Sequence, residues 1–554
     1  MKSTVKNIGK LAAALCLFGI VSSSCKKSKA EITPDDPAAA SRAAVTPDGT
    51  RAQLTQDSIF LYAKDVYLWN TSLPEYAAFN PRKYAVTITG FDQELFDLTQ
   101  YSPKNSATGN PYEFPLSGST INAKYSYIDD ISEHNVLAAA QNEKSSVDLE
   151  GIGDDLGLKI GAYGPANTEA YTILVQAVFQ GSPADLKKLT RGCSISTING
   201  KAYGANYTNE RVAVNNALDA SSVTLGGLLK DGITPFNVTL TKTTYRSSPI
   251  YNTQVLDVSG VKVGYLAYAR FSSMDNSKAG FDAAFAAFAA QGVTKLVIDL
   301  RYNGGGYVNT AEYLINLILS SSQNGKVMFK ERYNTLMQTG TATIMKNQPL
   351  FNSDGTFQKS TSGRVLNYSD LAKDYFSEAK QITNISKVGP LNGVTDVAFI
   401  VTRNTASASE LVINSLKPYV NVKIAGTKSY GKPVGFFPIT IDYKIDASSK
   451  KETGYDVYYS MFQTTNAAGV GDYFDGFTPD LSVTGDDATH DFGDPKENNL
   501  AKAITLIVPA APTATASTMS IQGQRVSATS VSVKSTVGGK EFNGMIADKP
   551  RLKQ

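Results

Sequence analysis

Three short segments of this chain combine residues able to activate a hydroxyl and to hold a developing negative charge. The first is Asp299-Leu-Arg-Tyr-Asn-Gly-Gly-Gly306, directly after the apolar run Lys295–Leu300. Consecutive glycines let the backbone take positive φ and bring unhindered N–H groups close to a ligand, either a phosphate or an oxyanion. The Gly-x-x-x-x-Gly-Lys-Ser/Thr pattern of a nucleotide loop and the spacing of a dinucleotide fingerprint are both missing, which disfavours the phosphate. The second segment, Asn404-Thr-Ala-Ser-Ala-Ser-Glu410, places Ser407 where an apolar strand passes into a helical pattern. The first N–H groups and the positive dipole end of such a helix can stabilise negative charge beside the serine. Taken alone, Ser407 reads better as an N-cap. The third segment, Ser429 to Gly435, carries Lys432. A serine hydroxyl needs a base, and lysine serves if burial disfavours its ammonium and lowers its pKa from about 10.4. Taken alone, Lys432 is a solvated loop lysine.

Other chemistries find little support. The chain of 554 residues has two histidines, His134 and His490, far apart and without a Cys-x-x-Cys or His-Glu-x-x-His motif near either. Neither a zinc site nor a histidine-dependent hydrolase is expected, and no metal or cofactor is implied. Lys plus Arg number 53 against 50 acidic residues. This near balance offers no basic face, so no nucleic-acid partner is expected.

The first 24 residues contain Lys2, Lys6 and Lys10, no acidic residue, and the apolar run Leu11 to Val21, followed by Ser22-Ser23-Ser24-Cys25. This is the pattern of a secretory signal, too short for a permanent span. It resembles the bacterial lipoprotein signal, which implies lipidation at Cys25, a membrane partner through the lipid, and a place in the cell envelope, periplasmic or on the outer-membrane surface. Cys193 then remains alone in the mature chain and reads as a packed thiol.

The elements that must position the three segments follow from periodicity. Residues 1–24 are the signal and 25–51 an anchor and linker. Ile59, Tyr62, Ala63, Val66 and Trp69 recur at helical spacing, and Phe91 to Leu98 forms a second helical stretch, so residues 52–148 read as a helical N-terminal domain. Residues 149–247 are strand-rich, with strands expected at Leu156–Ile160, Thr172–Phe179 and Cys193–Gly200. From 248 to 510 strands and helices alternate, the sign of a mainly parallel sheet covered by helices. Its strands include Val263–Tyr268, Lys295–Leu300, Asp396–Val401 and Val422–Gly426, with helices at Ser277–Gln291, Val308–Ser320 and Glu410–Leu416. Residues 511–554 read as a tail or an added strand. The expected class is a multidomain α+β and α/β protein.

Taken together, Asp-Leu-Arg-x-Asn-x-Gly-Gly, Ser-Ala-Ser-Glu and Tyr-Gly-Lys, with the lysine 25 positions after Ser407, resemble the C-terminal processing peptidases, also called tail-specific proteases. Asp475-Gly-Phe-Thr-Pro-Asp480 looks like a further segment of that family, and the resemblance covers about 150–505. It implies that Ser407 is the nucleophile and Lys432 the general base, and that backbone N–H groups of Gly305 and Ala408 form the oxyanion hole. It also implies a serine endopeptidase acting on polypeptides with free C-termini outside the cytoplasm. Gly181-Ser-Pro-Ala and the strand ending at Ile198-Asn-Gly-Lys resemble a PDZ domain of the bacterial protease type. That implies capture of a peptide C-terminus by the loop Leu156-Gly157-Leu158, with the peptide added as a strand. The region at 55–145 looks like the N-terminal domain of Bacteroidetes-type members. Two residues depart from the family: Phe436 stands where many members carry glutamine, and Pro433 replaces a glycine. Glu410 and Ser409 are then the candidates for positioning Lys432, while Phe436 and Pro433 are expected to desolvate its amine. The competing readings are a catalytically silent peptide-binding lipoprotein on the same scaffold and a glycan-binding surface lipoprotein.

Overall fold

In the computed structural model the described residues are 48–547, apart from 117–118, 120, 132–146, 166, 353–355, 446–451, 510, 512–517, 522–523, 528–530 and 538–543. Cys25 and His134 lie outside them. The centre is a six-stranded sheet in the spatial order Ile250–Val258, Val261–Tyr268, Lys295–Asp299, Asp396–Val401, Asn421–Gly426 and Leu481–Ser482. The first two strands are an antiparallel pair, and every later pairing is parallel. Parallel strands of this kind are covered on both faces, and alternate residues separate accordingly. Leu296, Ile298, Val397, Phe399 and Val401 enter one core, while Val297, Ala398 and Ile400 enter another. Phe281, Phe285 and Phe288 of the helix Met274–Ala290 cover the first face. Helices Val308–Ile318 and Ala408–Leu416 pack there as well. Leu500, Ala503, Ile504 and Ile507 of the helix Asn498–Ile507 cover the second.

The strand-rich region is a separate sheet with its own core. Its spatial order is Val531–Val537, Leu158–Pro165, Thr172–Val178, Ser194–Ile198, Ser222–Leu228 and Pro235–Thr241. The helix Tyr207–Asp219, which periodicity did not single out, adds Val214 and Leu218 to that core. Cys193 is fully buried there.

The N-terminal helices differ from the expected separate domain. Arg51–Val66, capped by Thr50 and Gln53, and Ile88–Thr99 are present. However, Ile59, Phe60, Val66, Phe91 and Leu95 share one continuous core with the central sheet. The strand Tyr127–Asp130 pairs with Glu452–Tyr458 and ties this region to the rest. Two helices present too little apolar surface to one another, so they bury their apolar faces against the larger sheet unit. Trp69 lies beyond the end of its helix and packs against Tyr67, Tyr112 and Phe474. Among the described residues no helix is long and apolar enough to cross a membrane.

Candidate active site

Ser407 stands between the strand Asp396–Val401 and the helix Ala408–Leu416. Its backbone has φ 62° and ψ −113°. A serine with positive φ is strained by Cβ, and such strain persists only where surrounding bonds over-determine it. This sharp strand-to-helix turn has the character of a nucleophile elbow. Ser407 is fully buried, and among the described residues its Oγ has no hydrogen-bond partner.

The bonds that hold the turn lead to one carboxylate. Glu410 Oε2 accepts from the amide of Ser407 at 3.0 Å and from the amide of Lys432 at 2.8 Å. Its Oε1 accepts from Ser429 Oγ at 2.6 Å and from the Gly431 amide at 2.8 Å. Burial raises the Glu410 pKa, and these four donors oppose the rise. One buried oxygen therefore brings the backbones of Ser407 and Lys432 to a common point. Ser409, the other expected positioning residue, instead donates from Oγ to the Asn303 carbonyl at 3.1 Å and binds the glycine-rich turn to the helix.

Lys432 is fully buried. Its Nζ donates to the Tyr125 carbonyl at 3.4 Å and lies 4.5 Å from the centroid of the Phe436 ring. Burial lowers its pKa from 10.5 to about 7; Glu113 and Glu410 oppose the shift, and Lys124 adds to it. Its loop is shaped from two sides. Tyr125 donates from its hydroxyl to the Gly431 carbonyl at 2.5 Å, and Tyr430 donates to the Lys124 carbonyl at 2.9 Å. Glu113 fixes that upstream segment by accepting from the amides of Tyr125 and Ser126. On the other side, the segment 475–480 packs directly on the loop. Gly431 has φ +84°, and a Cβ there would stand 2.4 Å from the Phe474 carbonyl oxygen. Phe477 donates its amide to Ser429 Oγ at 2.7 Å.

The glycine-rich turn is anchored by a buried ion network. Arg301 bonds Asp299 and Glu497 with its guanidinium, each at 2.9 Å or less for its shortest contact. Asp486 links Arg301 to Arg191 of the strand-rich unit. Asn303 ties the turn to the serine by accepting from the Ala406 amide at 3.2 Å. The turn lies against the elbow: a Cβ added at Gly305 would stand 3.0 Å from Ser407 Cβ.

Two expected backbone donors are committed elsewhere in this arrangement. The Gly305 amide donates to Asn303 Oδ1 at 2.9 Å, an intra-turn bond favoured by the tight spacing of the two residues. Opening it to an oxyanion requires Asn303 to turn away. Ala408 begins its helix, buried beside Ser407. In the strand-rich unit, the Gly157 amide donates to Asp155 Oδ1 at 2.7 Å. A Cβ at Gly157 would collide with Ser182 at 1.9 Å, so this glycine serves close packing. Leu156 and Leu158 belong to the core of that unit.

His490 bonds Asp487 at 3.0 Å, and that bond raises its pKa. Lys124, Tyr125 and Glu113 escaped sequence reasoning because they lie some 300 positions before Lys432 and carry no local motif. Glu410 was visible as the acidic residue of the Ser-Ala-Ser-Glu run, but its partners were not.

The comparisons agree with the geometry. Residues 262–483 match the model described as Peptidase family S41. Carboxy-terminal processing protease CtpB of Bacillus subtilis (strain 168) is 24% identical over 317 residues, which is 57% of this chain and 52% of that protein. The chain spans about half the length of the curated relatives it matches. A crystal structure from Bacteroides fragilis NCTC 9343, assigned as an S41 protease, is 21% identical, covers 84% of this chain and 99% of that one, and superposes with a TM-score of 0.50. It shares the fold.

Proposed function

We propose that the chain is a serine endopeptidase of the S41 type acting through a Ser407–Lys432 dyad, a reading supported by the match of residues 262–483 to the Peptidase family S41 model. The observation that carries the reading is the shared Glu410 oxygen, which joins a strained, buried serine to a buried lysine whose amine loses its proton at about pH 7 rather than 10.5. In the mechanism, neutral Lys432 takes the proton from Ser407 Oγ as the oxygen attacks a peptide carbonyl. The backbone N–H of Ala408, joined by that of Gly305 once Asn303 turns away, holds the oxyanion, a contribution of about 3 kcal/mol per donor. The lysine then passes its proton to the leaving amine, and water hydrolyses the acyl-enzyme.

Substrates are unfolded or C-terminally exposed polypeptides of the cell envelope, to which a lipid on Cys25 would tether the enzyme. The strand-rich unit acts as a PDZ-like recruiter. The strand Leu158–Pro165 beside the helix Tyr207–Asp219 supports that role, the edge of that strand being paired in the structure with Val531–Val537.

The reading is tested by mass spectrometry of an unfolded polypeptide incubated with the chain and with its Ser407→Ala and Lys432→Ala variants. Persistent cleavage in either variant counts against the dyad, and no cleavage by any form leaves the silent peptide-binding scaffold as the better reading.

The pH dependence follows from the lysine. Only the neutral amine is a base, so kcat/KM rises as pH increases through about 7 and falls tenfold per unit well below it. The same shift sets a stability trend. Because the folded pKa lies below that of the unfolded chain, the unfolded state holds the extra proton between about 7 and 10.5, and this site favours folding increasingly as pH rises across that window.

Phe436→Gln tests the apolar contribution. A polar amide beside Nζ solvates the ammonium and moves the midpoint of the pH–rate profile upward, by about one unit. An unchanged midpoint would show that the phenyl ring does not set the lysine pKa.

A further inference from the structure

We propose that the chain's own C-terminal segment, Gly544 to Ala547, is an intramolecular ligand of the cleft, lying where a substrate polypeptide adds as a strand; this rests on the peptidase reading above. The strand Gly544–Ile546 runs parallel to Gly305–Tyr307, with Gly544 opposite Gly305 and Met545 opposite Gly306. The Gly544 amide donates to the Gly304 carbonyl at 3.0 Å. Its other edge meets the segment that carries the lysine. The Phe436 amide donates to the Met545 carbonyl at 3.2 Å, and the Ala547 amide donates to the Phe436 carbonyl at 3.0 Å. One short strand thus bridges the glycine-rich turn and the Lys432–Phe436 segment.

The strand also reaches the reactive face. A Cβ added at Gly305 would stand 2.3 Å from the Gly544 carbonyl oxygen and 3.0 Å from Ser407 Cβ. A peptide carbonyl and the serine therefore crowd the same side of one glycine. Met545 is fully buried, its sulfur 3.2 Å from the point where a Gly435 Cβ would stand. The ligand class that fits is an extended polypeptide with a small residue opposite Gly305 and an unbranched apolar residue next to it.

A second segment of the same tail repeats the pattern at the strand-rich unit. Val531–Val537 pairs antiparallel with Leu158–Pro165, Val531 opposite Pro165 and Val537 opposite Ile160. Its C-terminal end therefore points toward the Leu156–Leu158 turn, the direction in which a captured chain end adds to a sheet edge. An open strand edge is a template for pairing. A tethered occupant competes at an effective concentration of order millimolar, so external polypeptides bind weakly until it leaves.

The test is a binding measurement in the full chain carrying Ser407→Ala, so that its result does not depend on the serine's role. Fluorescence anisotropy follows a labelled peptide with the sequence of residues 541–549, first in this background and then with Met545→Asp and Ile546→Asp added. Release of the tail is expected to tighten binding at least tenfold. Equal affinity, or no binding in the released form, overturns the inference. Met545 and Ile546 contribute to the main core, so Gly544→Pro, which removes the bond to the Gly304 carbonyl and leaves both core side chains in place, serves as a second variant if circular dichroism shows the double substitution unfolded. Failure of the dyad reading would appear separately, as absent cleavage by the Ser407-bearing enzyme whose released form binds the peptide.

Discussion

Ser407→Ala and Lys432→Ala each lower kcat/KM for an unfolded polypeptide by about 10⁴-fold or more, and the double variant is no worse than either single one. The effects do not add because the two side chains perform one act: without the base the hydroxyl stays protonated, and without the hydroxyl the base has nothing to activate. Lys432→Arg fails to rescue, since a guanidinium stays charged and cannot accept the proton. The lysine change carries an opposite signature in stability. Folding at neutral pH must hold a buried amine out of water, so Lys432→Met, which keeps the volume and removes the titrating group, stabilises the fold by on the order of 1–2 kcal/mol while abolishing cleavage. Kinetics by mass spectrometry and a thermal melt check both effects. A Lys432→Met variant that remains active excludes the lysine as base.

Glu410→Gln is expected to lower kcat by about 10²-fold with little change in KM, and to destabilise the fold by about 2–4 kcal/mol. The carboxylate accepts from three amides and one hydroxyl. A glutamine offers one oxygen and turns an NH₂ group toward N–H donors, leaving buried amides unpaired at about 1–3 kcal/mol each. The Ser407 turn and the Lys432 loop then lose their common anchor, and a misplacement of about 1 Å costs about 10²-fold in rate. Both carboxylate oxygens of this fully buried residue are taken by protein donors, so its loss is expected to fall on kcat; a change confined to KM would assign Glu410 to binding instead. Steady-state kinetics with a denaturant melt separates the two.

The departure at Phe436 takes on a physical meaning in this setting. Where a glutamine would hydrogen-bond the amine, the Phe436 ring offers only a cation–π contact at 4.5 Å, and burial outweighs it in lowering the lysine pKa. Orientation comes from the backbone, through Glu410 on one side and Tyr125 on the other.

The sequence by itself determined the central sheet, its helices and the three segments at the strand ends, because period-two and helical patterns and glycine turns are short-range signals. The resemblance of its motifs to those of the C-terminal processing peptidases also singled out the proposed pair, Ser407 and Lys432. Only the tertiary structure decided what surrounds them. Glu113, Lys124 and Tyr125 reach the lysine from the N-terminal region, and the helices of that region merge into the main core rather than enclosing their own. The Gly305 and Gly157 amides, expected to be open, are taken by Asn303 and Asp155. The strand Gly544–Ile546 enters the cleft from the far end of the chain. Each of these depends on which surfaces meet and which buried donors find acceptors, and those outcomes belong to the assembled chain rather than to any segment of it.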